Sequence, residues 1–118
     1  MTIDLTATWT PTQAEFDLFA AISGDDNPIH VDPAFSARTA FGRTVSHGML
    51  IYTKLWGLVT RAHPEVTQMS QTMMFPNPCY TGEKVALTVS GDCPGTLTVR
   101  ALRAADGAEL LVGAMEVA

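Results

Sequence analysis

Basic residues are scarce in this chain. Seven lysines and arginines stand against twelve acidic residues among 118, which gives a formal net charge of −5. Proteins that bind nucleic acid present basic faces to the phosphate backbone, so we expect no nucleic-acid partner. A few arginines placed together could still bind the phosphates of a small molecule.

Long hydrophobic runs are also lacking. No apolar stretch reaches the roughly 18 residues that a membrane-spanning helix needs. Residues 1–4 show neither the basic head nor the apolar core of a signal peptide. The two cysteines, Cys79 and Cys93, do not have the spacing of a metal site. We therefore expect a cytoplasmic protein without a membrane partner, whose thiols are reduced and structural.

The length fits one domain that covers residues 1–118 and buries its own core. Apolar and polar residues alternate over 3–9, which predicts a strand with one buried face. Thr12 and Glu15 have the spacing of a capping box, and they predict a helix over residues 12–22 that Gly24 ends.

The segment 47–59 is apolar on nearly every side, which is typical of a buried helix, and Ser46 is its candidate cap. Strand-like segments follow, and their short connections predict an antiparallel sheet; they cover residues 66–74, 84–90, 97–103 and 109–117. We expect an α+β domain in which this sheet wraps around the central helix. The uncovered sheet edges and helix surface predict a homodimer.

Asp25 and His30 are the candidate catalytic residues. They lie five positions apart across the Asn27–Pro28 turn, so their side chains can converge on one water molecule. A carboxylate and an imidazole held in this way can take a proton from water and deliver one to a carbon atom.

Residues 19–32, with the sequence FAAISGDDNPIHVD, resemble the MaoC-like, R-specific enoyl-CoA hydratases. The resemblance continues through residues 33–35, 41–43 and 46–50, and more weakly at Phe75 and residues 80–83. It implies a hotdog fold and R-specific hydration of 2-enoyl thioesters, or the reverse dehydration of 3-hydroxyacyl thioesters.

The same resemblance implies a role for each site residue. Asp25 and His30 would hold the catalytic water, and the backbone N–H of Gly48 would polarise the thioester carbonyl. Candidate substrate-binding residues are Asn27, Ser46, His47 and Trp56. The partner would be an acyl-CoA or acyl-carrier-protein thioester. No metal is implied, nor any cofactor beyond the coenzyme A or phosphopantetheine of the substrate.

Several of these residues have simpler interpretations. His47 could cap or pack the helix, and Asn27 could fix the turn. If Trp56 faces the acyl pocket, its bulk favours a short or unusually shaped acyl group. Arg38 and Arg43 could bind substrate phosphates or be ordinary solvated arginines.

Other polar and sulfur-bearing residues are assigned to structural duties. We interpret Asp26 as a solvated carboxylate and Asp32 as a turn or helix cap. A metal site formed by Asp25, His30 and Asp32 explains the cluster less well than acid/base chemistry. The group Met69, Met73 and Met74 is interpreted as sheet core or pocket lining.

Two alternative functions share the expected fold. A non-catalytic hotdog module would bind an acyl thioester or stabilise a partner subunit, but it would not need the Asp25, His30 and Gly48 set. A thioesterase would direct its water at the carbonyl carbon and would release a free thiol.

Overall fold

The computed structural model describes residues 1–118. Four helices and five strands follow one another along the chain: β1 (Thr2–Trp9), α1 (Gln13–Ser23), α2 (Pro28–Val31), α3 (Pro33–Ala37), α4 (Gly48–Ala62), β2 (Gln68–Met74), β3 (Val85–Asp92), β4 (Gly95–Arg103) and β5 (Glu109–Val117). The predicted strands and the two longer helices are confirmed within a few residues at each end.

The strands form one antiparallel sheet in the order β1-β3-β4-β5-β2. Apolar residues that share a face are paired across the ladder, as Val89 is with Val99 and Leu97 with Met115. Such cross-strand pairs fix the register, because a slip of one residue would turn the apolar face towards water. The α+β class and the hotdog architecture are thereby confirmed.

Helix α4 packs on the apolar face of this sheet. Leu55 and Val59 are fully buried, and Ile51 is nearly so, against side chains of β3, β4 and β5. The helix is not buried on every side, however. Met49 is 45% exposed, and Trp56 is only half-buried. The prediction of a helix buried all round was wrong for the single chain, because no element of this chain covers that side of α4.

Helix α1 begins as its sequence predicts. The Thr12 side chain accepts a hydrogen bond from the Glu15 amide, and the Glu15 side chain accepts one from the Thr12 amide. Glu15 also accepts from the indole of Trp9 and pairs with Lys54 at 2.6 Å. These contacts tie β1 and α1 to α4. Gly24 ends α1 with a left-handed backbone, φ 82°, which favours glycine.

Strand β2 lies at one edge of the sheet, and most of its side chains are exposed. Met69 and Met74 are 65% and 64% exposed, whereas Met73 is half-buried against the core. The interpretation as sheet core or pocket lining was wrong for Met69, because β2 has a neighbour on one side only. Met74 is not core either, but with Met73 it lines a second, shallow pocket. None of the helices has the length and apolar character needed to cross a bilayer.

Candidate active site

Asp25 lies in the loop between α1 and α2, and hydrogen bonds fix its backbone on both sides. Its N–H donates to the Ser23 hydroxyl at 3.1 Å, and its carbonyl accepts from Nε2 of His47 at 2.9 Å. The backbone N–H of Asn27 donates to oxygen Oδ1 of the Asp25 carboxylate at 3.4 Å. The other oxygen, Oδ2, is therefore directed elsewhere, and the side chain is 55% exposed.

His30 lies in α2, a single helical turn that the sequence did not predict. Asn27 caps this turn by accepting a hydrogen bond from the Ile29 amide, and Pro28 occupies its first position. The ring atom Nδ1 of His30 lies 2.7 Å from the carbonyl oxygen of Val45. A carbonyl only accepts, so Nδ1 carries the hydrogen and the neutral ring has its lone pair on Nε2.

The two candidate catalytic groups face each other. His30 Nε2 and Asp25 Oδ2 lie 3.8 Å apart. This separation is too long for a direct hydrogen bond, but a water molecule beside the pair can contact both atoms at about 2.8 Å. The pair can therefore polarise one water, with a proton acceptor on each side of it.

Gly48 is the first residue of α4, and its amide is free. The preceding residue, His47, occupies the cap position but makes no side-chain cap bond. The first amides of a helix have no partner within the helix, and the helix dipole favours negative charge there. Ser46 is not the helix cap that we expected, because His47 occupies the cap position and the Ser46 hydroxyl donates to the His47 carbonyl. The Gly48 amide is suited to polarise a carbonyl oxygen.

The ring of Phe75 lies directly over Gly48. A Cβ atom at residue 48 would come within 2.6–2.9 Å of three atoms of that ring. Real Cβ atoms do not approach other atoms so closely. A side chain at residue 48 would displace the ring, so glycine here allows the close approach of Phe75 and does not serve an unusual backbone angle.

His47 is packed between the catalytic pair and α1. Only 2% of the residue is exposed. Its ring stacks on the His30 ring with the centroids 3.9 Å apart, and the Phe19 ring lies at 4.8 Å. Its Nε2 donates to Asp25, so Nδ1 carries a lone pair, and this buried atom has no partner. An unpaired buried polar atom typically costs about 1–3 kcal/mol.

A cavity of about 500 Å³ opens at this place. It brings together five of the seven predicted site residues: Asp25, His30, Ser46, His47 and Gly48. Its remaining walls are mostly apolar and include Phe41, Met49 and residues 75–79. Such a cavity, with a few polar groups converging at one end, is typical of a small-molecule site.

Two predicted residues do not line this cavity. Asn27 fixes the turn before His30, as its simpler interpretation holds. Trp56 is half-buried and packs on the core, two turns beyond Gly48 along α4. The structure of the single chain therefore gives no support to a pocket shortened by Trp56.

The remaining polar residues of the motif have structural contacts. Asp32 caps α3 by accepting a hydrogen bond from the Phe35 amide, and Asp26 is exposed, as we interpreted both. Arg43 donates to the Thr81 carbonyl and lies over the Tyr80 ring. These contacts give Arg43 an ordinary packing role.

Sequence reasoning missed two parts of the site. The first is Val45, whose carbonyl sets the hydrogen position on His30; a backbone acceptor leaves no mark in the sequence. The second is the wall formed by residues 75–79, which hydrogen bonds such as that from the Ser46 amide to the Cys79 carbonyl bring to the site. The only sign of this wall in the sequence is the closely spaced run of Phe75, Pro76 and Pro78.

Cys79 lines the cavity but is not a nucleophile. Burial raises the pKa of its thiol to about 12, with the nearby Arg103 opposing this shift. The thiolate is the reactive form of cysteine, so the thiol is inert near neutral pH. Cys79 and Cys93 are both buried and unpaired.

The donor atoms of Asp25, His30 and His47 lie within 4.8 Å of one another, but they suit a metal ion poorly. The two imidazole planes are stacked with an angle of 26° between them. A ligating lone pair lies in the ring plane, and two stacked planes do not meet at one ion about 2 Å from each ring.

Burial lowers the pKa of His47 below its ordinary value of 6.5, with His30 acting in the same direction, while the bond to the Asp25 carbonyl opposes the shift. Between the lowered pKa and 6.5, the unfolded chain binds more protons than the folded one. The contribution of neutral His47 to the free energy of unfolding is therefore fully present above about pH 6.5. It is lost as the pH falls through the pKa of His47 in the folded state, by at most about 1.4 kcal/mol per pH unit for one proton.

Urea unfolding of the wild type and the non-titrating variant His47→Gln at pH 7.5, 6 and 5 tests this expectation. The wild type should lose stability more steeply than the variant below pH 6.5. Parallel dependences in the two proteins would contradict it.

This chain is a hotdog domain, because its antiparallel sheet packs around one helix. It has an acid/base site, because a carboxylate and an imidazole face the amino end of that helix. The MaoC like domain family matches residues 1–93, and this chain belongs to that family.

Named relatives and solved structures agree with this assignment. The chain is 41% identical over 78 residues to the (R)-specific enoyl-CoA hydratase of Aeromonas caviae, a match that covers 64% of this chain and 58% of that protein. It is 39% identical over 77 residues to the 3-hydroxybutyryl-CoA dehydratase of Methylorubrum extorquens, covering 60% of this chain and 46% of that protein. These matches span less than two thirds of either relative.

A structural match covers more of both chains. The (R)-hydratase from A. caviae involved in PHA biosynthesis superposes with a TM-score of 0.88 at 32% identity, over 98% of this chain and 92% of that one. The R-hydratase PhaJ1 from Pseudomonas aeruginosa has a TM-score of 0.89 at 26% identity, over 99% and 79%.

Proposed function

We propose that this chain catalyses R-specific hydration of 2-enoyl thioesters, or the reverse dehydration of 3-hydroxyacyl thioesters. The observation that carries the proposal is the placement of His30 Nε2 and Asp25 Oδ2, 3.8 Å apart, on one cavity with the free amide of Gly48. Relatives named as a hydratase and as a dehydratase of such thioesters support it.

The chemistry follows from this placement. A thioester whose carbonyl oxygen accepts from the Gly48 amide presents its third carbon to the water held by Asp25 and His30. Nε2 of His30 takes one proton from that water as its oxygen bonds to the third carbon. The negative charge that develops on the thioester oxygen is stabilised by the amide and by the dipole of α4.

The second proton transfer completes the addition. The imidazolium of His30 returns a proton to the second carbon, and the neutral ring is restored. Water has then been added across the double bond without any change in electron count. The reaction needs no redox group or metal, so the coenzyme A or phosphopantetheine of the substrate is the only cofactor-like group that we propose.

The experiment that tests this function is the addition of the purified protein to crotonyl-CoA. We expect the enoyl absorbance to fall and no free thiol to appear. Thiol release without hydration would instead show a thioesterase, and no reaction with crotonyl-CoA or its carrier-bound form would contradict the proposal.

We further propose that the chain acts as a homodimer through the open edge of β2. This edge carries unpaired backbone groups and the exposed side chain of Met69, and the Met49 side of α4 is uncovered as well. Exposed strand edges pair readily with a second strand.

The two unpaired cysteines are consistent with the reducing cytoplasm that we propose as the location.

Sedimentation tests the dimer. The wild type should have twice the 12.6 kDa mass of one chain. Met69→Lys should weaken association by more than about tenfold, since burial of one unpaired charge costs at least about 1.4 kcal/mol. The control Ile22→Lys, at a 75% exposed position on α1, should leave the dimer intact. A monomeric wild type, or equal association of both variants, would contradict the proposal.

A further inference from the structure

His47 is the one buried side chain that contacts both members of the catalytic pair through different interactions. It donates a hydrogen bond to the backbone of Asp25 at 2.9 Å, and its ring covers one face of the His30 ring at 3.9 Å. We propose that His47 is a positioning residue that holds Asp25 and His30 in register. This inference depends on the proposed function.

The hydrogen bond from His47 is one of only a few contacts that hold Asp25 in place. Asp25 lies in a loop outside any helix or strand, and its side chain is largely exposed. Its backbone N–H is bound by the Ser23 hydroxyl and its carbonyl by His47. The Ser23 bond is local, whereas His47 ties the loop to the start of α4. The distance between the Asp25 carboxylate and the Gly48 amide therefore depends on His47.

The contact with His30 limits rotation of that ring. The bond from Nδ1 to the Val45 carbonyl fixes one point of the ring, and the stacked His47 ring fixes its plane. The Phe19 ring lies 4.8 Å from the His47 ring, and the Phe16 ring meets it edge-on. The direction of the His30 Nε2 lone pair is therefore set by a cluster of packed rings.

Capping and simple filling of space do not explain His47. Its side chain makes no cap bond to α4, and Nδ1 is buried without a partner. An apolar side chain of similar size would fill the same space without burying an unpaired lone pair. The residue's two directed contacts, with Asp25 and with His30, are what an aliphatic replacement would lack.

Two substitutions separate these contacts. His47→Gln keeps an N–H donor within reach of the Asp25 carbonyl and loses the ring, whereas His47→Phe keeps a ring over His30 and loses the donor. In the hydration assay we expect kcat to fall by roughly tenfold to a hundredfold in His47→Phe, because a misplacement of about 1 Å costs that much. His47→Gln should retain more of kcat, and KM should change by less than about threefold in both, since His47 acts on the catalytic pair and not on binding.

A second measurement keeps the inference testable if one variant folds poorly. In the background Asp25→Asn, replacing His47 by Phe should lower kcat little further, because this substitution removes the contact with Asp25, whose carboxylate is already absent. The control His63→Gln changes a histidine remote from the cavity and should behave as the wild type.

Unchanged kcat in His47→Phe, or fully additive losses with Asp25→Asn, would overturn the role of His47. A wild type without hydratase or dehydratase turnover would overturn the proposed function itself. The two failures are distinguishable, because the first compares variants and the second concerns the wild type alone.

Discussion

Replacing Asp25 by Asn or His30 by Ala should each lower kcat by about 10²–10⁴-fold and leave the fold intact. This is the usual contribution of a positioned acid or base. Asp25→Asn keeps the shape of a largely exposed side chain and removes its negative charge, so stability should change little. Steady-state hydration of crotonyl-CoA measures the rates, and thermal unfolding measures the fold.

His30→Asn is the matched variant for the histidine. Asparagine can still donate to the Val45 carbonyl, as Nδ1 of His30 does, but it has no group at the place of Nε2. We expect it to be as inactive as His30→Ala and more stable. More than about a tenth of wild-type activity in any of these three variants would contradict the assigned roles.

Gly48→Ala should lower kcat/KM by roughly tenfold to a hundredfold with little loss of stability. The substitution leaves the backbone amide in place, but the new methyl group would lie 2.6–2.9 Å from the Phe75 ring. Phe75 is 47% exposed, so its ring can turn away at small cost to folding. The cavity wall over the amide is then displaced, and misplaced substrate reacts slowly.

The double variant Gly48→Ala/Phe75→Ala tests this explanation. Both substitutions disturb the same wall, so the double variant should lose little more activity than Gly48→Ala alone. The two substitutions should therefore be strongly non-additive, as expected for residues in contact. Wild-type kcat/KM in Gly48→Ala, or fully additive losses in the double variant, would show that Phe75 does not fix the wall.

The sequence was informative where short-range rules apply. Thr12 and Glu15 predicted the start of α1, and alternation along β3 and β4 predicted their buried faces. The spacing of Asp25 and His30 across a turn predicted that they converge. Each of these signals acts within a few residues, so no knowledge of the rest of the chain was needed.

The parts that were missed depend on distant residues. Helix α2 is a single turn, too short for a periodic pattern, and it forms because Asn27 caps it. The carbonyl of Val45 and the ring of Phe75 reach the site only through folding. The side of α4 that carries Met49 reads as core in the sequence, yet it is exposed in the single chain. An apolar pattern records that a surface is covered, but not which chain covers it.

The reverse reaction with the two enantiomers of 3-hydroxybutyryl-CoA tests the proposed chemistry of Asp25 and His30 most directly. In the mechanism that we propose, Asp25 and His30 reach the substrate from one side, while the Gly48 amide fixes the thioester carbonyl. We therefore predict formation of crotonyl-CoA from the R enantiomer, with loss of this activity in Asp25→Asn. Dehydration of the S enantiomer, or dehydration that survives in Asp25→Asn, would contradict it.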